Sequence, residues 1–213
     1  MVNGNYTLNV LWLLSSYIEQ HNMLSEHQYG FRSGLSTSLA IYDMHENFLQ
    51  NTEKELTTCA VFCDLSKAFD TLDHQMLLWK LEHFYGIRGL SHKLLTSYLQ
   101  DRHQYTVVGG YRSTTQGVSL GVPQGSSLGP LLFALYVNDL PQASNLTPTL
   151  FADDTLLTIA CANSANLQNG VNHWATNFWS CFFIFIFWCF LMFFWCAEYE
   201  NDVSFFVVSA VFL

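Results

Sequence analysis

The chain has 213 residues, half of them hydrophobic and 12% charged, and carries a formal net charge of −9. Its length allows one substantial domain or two small ones, its apolar share suffices for a sizeable core, and its acidic balance speaks against a broadly basic nucleic-acid grip. Six cysteines occur without any C-x-x-C spacing and without a histidine at metal-ligand spacing, which argues against a thiolate metal site and for reduced, mostly buried thiols in an intracellular protein. The eight histidines are scattered, and none is assigned to a metal. Charge is unevenly spread: the last Lys or Arg is Arg112. Val10–Leu14 is too short, and lacks the preceding basic residues, to read as a signal peptide.

Residues 1–10 show little pattern. Leu11, Leu14, Tyr17 and Ile18 then fall at helical spacing and predict a short amphipathic helix. Gly30-Phe31-Arg32-Ser33-Gly34 is a glycine-flanked turn, in which Arg32 taken alone reads as a solvated loop cation. Ser36 or Thr37 is expected to cap a helix with Leu39, Tyr42, Phe48 and Leu49 as its apolar stripe. Thr57–Cys63 is short, apolar and rich in β-formers, as a buried strand would be, and Asp64 follows it directly. Asp70 and Asp73 suit helix caps. A helix opened by Asp73 would turn Leu77, Leu78, Leu81 and Phe84 inward and stop near Gly86.

A second helix is expected from about Ser91, with Leu94, Leu95, Tyr98 and Leu99 inward. Tyr105–Val108, Gly109-Gly110 and Tyr111–Thr115 predict a hairpin with a glycine turn. Gly121-Val122-Pro123-Gln124-Gly125-Ser126-Ser127 is turn-rich and leads into Pro130, which fits a first helical turn, and the apolar run Leu131–Val137. Asn138–Pro148 reads as a linker. No internal repeat is visible.

The chemistry converges on Phe151-Ala152-Asp153-Asp154. Leu150 and Phe151 lead in, Leu156, Leu157 and Ile159 lead out, and the whole reads as a β-hairpin with two carboxylates at its tip. If the strand ending in Asp64 lies alongside, three carboxylates meet at one sheet edge. Such a cluster repels itself unless cations occupy it, and hard oxygen ligands suit Mg²⁺. This predicts a two-metal nucleotidyl-transfer site on an α+β fold in which a sheet backs onto helices. An isolated Asp-Asp turn is more often solvated punctuation; order along the chain is what gives this one weight.

Four stretches in order carry a resemblance. They are Glu26–Gly34, the run Asp64-Leu65-Ser66-Lys67-Ala68-Phe69-Asp70 with His74, Gly121–Phe133, and Phe151–Asp154. Together they resemble the reverse transcriptase domain of non-LTR (LINE-like) retrotransposons, over residues 11–176. The resemblance implies a palm with partial fingers. It implies that Asp64 and Asp153 bridge two Mg²⁺ ions (with Mn²⁺ as a substitute), with Asp154 beside them and the Leu65 carbonyl completing the shell. Phe69 would pack under the sugar and disfavour a 2′-hydroxyl, Gln124 and Gly125 would meet the incoming nucleotide, and Gly30, Phe31 and Arg32 would lie in the fingers near the template. The implied activity is RNA-directed DNA polymerase, with an RNA template, a DNA primer and deoxynucleoside triphosphates as partners.

The likeness stops at both ends, so the expectation is a domain truncated there. Residues 1–10 lack the fingers cations, and residues 177–213 lack a basic segment and a thumb. Instead Phe178–Ala197 is a run of 20 uncharged residues dominated by Phe, Trp and Cys. Its length could span a bilayer, but its aromatic excess and lack of flanking Lys or Arg argue against an anchor. A domain without its basic grip is expected to bind primer-template weakly and to be weakly active or inactive. The competing expectations are a non-catalytic retroelement remnant that binds nucleic acid or a membrane and, behind it, a two-metal nuclease. Cytoplasm or nucleus is the expected location, a membrane only if residues 178–197 anchor the chain; oligomeric state is not legible.

Overall fold

The computed structural model describes residues 4–65, 67–143, 146–163, 166, 169–170, 190–198 and 203–212. In chain order the elements are α1 (Gly4–Gln20), α2 (Thr37–Glu53), β1 (Thr57–Leu65), a 3-10 turn (Ala68–Asp70), α3 (His74–His83), α4 (Gly89–Leu99), β2 (Arg102–Gln104), β3 (Val107–Val108), β4 (Tyr111–Arg112), β5 (Gln116–Val118), α5 (Gly129–Tyr136), a second 3-10 turn (Leu140–Ala143), β6 (Thr147–Phe151), β7 (Asp154–Cys161), β8 (Phe190–Glu198) and β9 (Val203–Phe212). The mixture of helix and strand is the one expected. Two compact units divide it. One comprises the chain up to Leu24 with Ala68–Tyr136; the other comprises Ser25–Lys67 with the chain from Val137 onward.

The first unit is mainly helical. Asp73 caps α3 by accepting a hydrogen bond from the Met76 amide at 2.7 Å, and Leu77, Leu78 and Leu81 are buried, as their spacing predicts. Phe84 is the exception at 56% exposed, and Tyr85 and Ile87 take the inward places instead. Phe84 is the C-cap of α3, its amide still donating to the Lys80 carbonyl, and the chain turns away at Gly86, which has φ +65°. On α4, Leu95, Tyr98 and Leu99 are buried as expected, whereas Leu94 is turned outward. The helix α1 begins at Gly4, well before Leu11, and runs through residues that carry no clear apolar pattern. Nothing between Gly4 and Val10 breaks a helix, so one nucleated at Leu11–Ile18 extends at one hydrogen bond per added residue. The glycine hairpin forms as β3 and β4, with Gly109 and Gly110 at φ +57° and +84°, the pattern of a type I′ turn.

Lys80 of α3 and Tyr85, two residues past its end, close the C-terminal end of α5. Lys80, only 3% exposed, donates from Nζ to the Tyr136 carbonyl at 2.7 Å, and the Tyr85 hydroxyl donates to the Leu135 carbonyl at 2.7 Å. Both bonds satisfy carbonyls that a helix end leaves without intrahelical donors. The lysine also brings a cation to the negative end of the helix dipole.

The second unit is built on a five-stranded sheet of order β6-β7-β1-β9-β8, with β1 central, parallel to β9 and antiparallel to β7. Cys59, Ala60 and Val61 are buried as consecutive residues, which is the signature of a strand covered on both faces. Ser36 caps α2 through Oγ, which accepts from the Leu39 amide at 3.2 Å. The α2 face turned inward is only partly the one expected: Leu39 and Phe48 are on it, Tyr42 and Leu49 are not. Ala40 is buried and Met44 and Phe48 are half-buried, while Tyr42 and Leu49 are exposed. Residues 40, 44 and 48 share one side of a helix, and 42 lies nearly opposite.

Residues 190–197 lie in strand β8, not in a helix, and residues 178–189 fall outside the described residues. Among the described residues no helix is long and apolar enough to cross a membrane. Among the described residues, Cys59, Cys63 and Cys161 are in no disulfide.

Candidate active site

The acidic hairpin forms in the second unit. β6 and β7 pair antiparallel down to Phe151 opposite Asp154, leaving Ala152 and Asp153 as a two-residue loop. Ala152 has φ +59°, and Asp153 does not share that sign, the pattern of a type II′ turn. Such a first position ordinarily takes glycine, and an alanine there is strained by about 1 kcal/mol. Asp153 is half-buried and Asp154 exposed, with Ala152 and Thr155 buried on either side.

The same register locates Asp64. β1 pairs with β7 down to Cys63 opposite Thr155. One further step along each strand brings the Asp64 backbone opposite Asp154, at the sheet edge where the hairpin turns. The side chains of Asp64 and Leu65 lie outside the described residues, so the statement concerns the backbone alone.

The turn is held by Glu26–Gly34. The Leu150 amide donates to the His27 carbonyl at 2.8 Å and the Tyr29 amide donates to the Leu150 carbonyl at 2.8 Å, so this segment runs along β6 as a short parallel bridge. Gln28, 1% exposed, then reaches the loop itself. Its Oε1 accepts from the Gly30 amide at 2.8 Å and from the Ala152 amide at 3.1 Å. Both neighbours are donors, which fixes which end of the side-chain amide faces them. Gly30 packs so close that a β-carbon on it would collide with the Ala152 nitrogen. Arg32 donates from Nη1 to the carbonyls of Ser25 at 2.8 Å and Gln28 at 3.3 Å, closing the loop on itself. Phe31 is exposed, at φ +58°. The Tyr29 hydroxyl donates to Asp43 Oδ2 at 2.7 Å, tying the segment to α2. Burial, and then this bond to a carboxylate, push the Tyr29 phenol up to about 12.

Beside the hairpin lies a cavity of about 330 Å³ between α2 and the sheet. Ala40, Met44, Phe62, Phe151 and Leu156 make its walls apolar, and Asp154 reaches its lining.

The remaining predicted residues belong to the first unit. There the 3-10 turn and the Gly121–Gly125 loop are laced together. The Val122 amide donates to the Phe69 carbonyl at 2.9 Å, and the Gly121 amide to the Leu72 carbonyl at 2.7 Å. His74, buried, donates from Nε2 to the Gly121 carbonyl at 2.6 Å. Gly121 has φ +80°, and a β-carbon there would meet the Asp70 backbone at 2.7 Å. The Phe69 ring packs against Phe133 with centroids 4.5 Å apart. Gln124, exposed, donates from Nε2 to Asp70 Oδ1 at 3.1 Å, so Asp70 receives the loop's glutamine and is not a helix cap; Asp73 alone caps. Gly125 is exposed at φ +75°. The loop then enters α5 through Ser126, whose Oγ accepts from the Leu128 and Gly129 amides at 3.1 and 3.2 Å and also pairs with the Tyr98 hydroxyl.

Three side chains central to this geometry went unremarked as functional in the sequence. Gln28 and His74 stand inside the motif stretches, but their partners, Ala152 and Gly121, lie far along the chain. Asp70 looked like a cap because a carboxylate just before a helix usually is one.

A mixed α and β chain with paired aspartates on a hairpin beside a strand-end aspartate has the character of a reverse transcriptase domain. The profile of the reverse transcriptase (RNA-dependent DNA polymerase) family matches residues 9–181, and the chain belongs to that family. It is similar to two Drosophila melanogaster proteins, the probable RNA-directed DNA polymerase from transposon BS (35% identity over 60% of this chain and 14% of the relative) and that from transposon X-element (32% over 76% and 18%). The RNA-directed DNA polymerase from mobile element jockey of the same organism is 29% identical over 60% of this chain and 15% of its own length. The chain thus spans less than a fifth of the length of these curated relatives. The non-LTR character read from the motifs agrees with these relatives.

Proposed function

We propose that this chain carries the nucleotidyl-transfer centre of an RNA-directed DNA polymerase, joining a deoxynucleotide to a primer 3′-hydroxyl on an RNA template. The observation that carries the reading is the register of β1, β7 and β6, which brings the Asp64 backbone beside the Asp153-Asp154 turn. The donor set supports it: adjacent carboxylates at an accessible sheet edge are hard oxygen ligands of the kind Mg²⁺ or Mn²⁺ takes. Asp64, Asp153 and Asp154 would hold two such ions, with the Leu65 carbonyl as a further ligand. When bound, divalent cations would lower the pKa of the primer hydroxyl and offset charge on the leaving pyrophosphate.

The chain's own groups would then do the positioning. In our reading Phe69, braced by Phe133, sets the sugar preference, and Gln124 and Gly125 meet the nucleotide from a loop that Asp70 steadies. Gly30, Phe31 and Arg32 form a fingers remnant near the template, and the second unit's sheet serves as the palm. A net charge of −9 with no Lys or Arg after Arg112 implies a weak grip on nucleic acid, steeply sensitive to salt.

The test is primer extension on an RNA template with Mg²⁺ at low salt, comparing the chain with Asp153→Ala. Weak extension by the unaltered chain that Asp153→Ala abolishes is the expected result. Equal signals from the two would end the reading.

A further inference from the structure

Gln28 combines features that packing alone does not explain. It is 1% exposed, yet it is polar, and a single oxygen accepts from two amides of which one belongs to the hairpin loop 124 residues away. Its Nε2 has no hydrogen-bond partner among the described residues. An apolar side chain of the same length would fill the space without burying that unmet donor. The acceptor oxygen is therefore what this position requires, and what it holds is Ala152, the strained residue immediately before Asp153.

We propose that Gln28 is a positioning residue for the paired carboxylates: by accepting the Ala152 amide it keeps the turn in the one backbone conformation that sets Asp153 and Asp154 for a divalent cation. This rests on the reading of Asp153 as a cation ligand. Two further observations support it. Gly30 leaves no room for a side chain against Ala152, so the loop is clamped sterically as well as by hydrogen bonds. Arg32 donates to the Gln28 carbonyl, so the residue that holds the turn is itself held. Removing a group that orients a metal ligand in this way typically costs roughly ten- to a hundredfold in metal affinity.

The experiment is Mn²⁺ binding, read by the loss of the free-ion electron paramagnetic resonance signal, on the full chain and on Asp153→Asn, Gln28→Met and Gln28→Glu. Gln28→Met keeps the volume and removes the acceptor; Gln28→Glu keeps acceptor oxygens. The expected result is about tenfold weaker binding for Gln28→Met, with Gln28→Glu within about threefold of the unaltered chain. Full binding by Gln28→Met, alongside loss in Asp153→Asn, overturns the positioning role and leaves the metal site standing. Equal losses in both Gln28 variants overturn it too, because packing would then be the cause. Undiminished binding by Asp153→Asn overturns the metal site itself. Should Gln28→Met fail to fold, amide exchange in the unaltered chain decides: a protected Ala152 amide supports the bond, and exchange at the rate of an exposed amide overturns it.

Discussion

Gly30 lies against the backbone nitrogen of Ala152 so closely that position 30 admits no side chain at all. The glycine is needed for this approach, not for a turn, since its φ is not in the left-handed region. A motif near the start of the chain is thus shaped to fit a hairpin near residue 152. Local sequence and distant sheet edge have to be read together.

Gly30→Ala should therefore destabilise the fold by about 1–3 kcal/mol, the range for forcing extra volume into a filled site. Gly117→Ala, where an added β-carbon meets nothing, should change stability by less than about 0.5 kcal/mol. Urea denaturation of the two variants checks the contrast, and similar losses in both would contradict the packing described.

Lys80→Met should cost about 1.5–3 kcal/mol, the range for losing a hydrogen bond to a charged group, because the aliphatic stem still packs while the Tyr136 carbonyl loses its donor. The change in denaturation midpoint reports it. An unchanged midpoint would mean that the lysine contributes nothing as a cap.

Alkaline pH should weaken the fold through Tyr29. Its phenol rises from the ordinary value of 10 to about 12, by burial first and then by the bond to Asp43. The folded chain therefore keeps a proton that the unfolded chain releases. This contribution is complete below pH 10 and drains away as pH rises from 10 to about 12. Tyr29→Phe should flatten that part of a stability-against-pH curve, and an identical slope in the variant would refute the assignment.

Cys63 should resist alkylation. Burial pushes its thiol from 9 up to about 12, so at pH 8 only about one molecule in ten thousand presents the thiolate that reacts. Cys161 is partly exposed and should label before Cys63 when the folded chain meets iodoacetamide. Peptide mapping distinguishes them. As with Tyr29, the sign makes this site's stabilisation complete below pH 9 and lost as pH climbs toward 12.

Much of the fold was readable because local rules decide it. Asp73 and Ser36 cap where their side chains predict, Gly109-Gly110 turns a hairpin, and the strand expected over Thr57–Cys63 forms, with Thr58–Val61 buried and Phe62 exposed. Some helix faces were misjudged. Phe84, at the C-cap of α3, and Leu94, within α4, fit the apolar patterns of their helices and yet are exposed, and Tyr42 was grouped with residues on another side of its helix. In the candidate site, the hairpin that carries Asp153 and Asp154 was legible from the pattern. The contacts of Gln28, His74 and Asp70 were not, because each has its partner remote in sequence: Ala152, the Gly121 carbonyl and Gln124.

By itself the sequence determined the main helices, the strand ending at Asp64, the two hairpins and the family, since periodicity, turn chemistry and motif order are written in neighbouring residues, while the pairing of β2 with β5 and the strands β8 and β9 were not read from it. Only the tertiary structure decided what restrains that hairpin. A buried side-chain oxygen meets whichever donor the folded sheet brings within 3.1 Å, and no local pattern names a donor 124 residues further along.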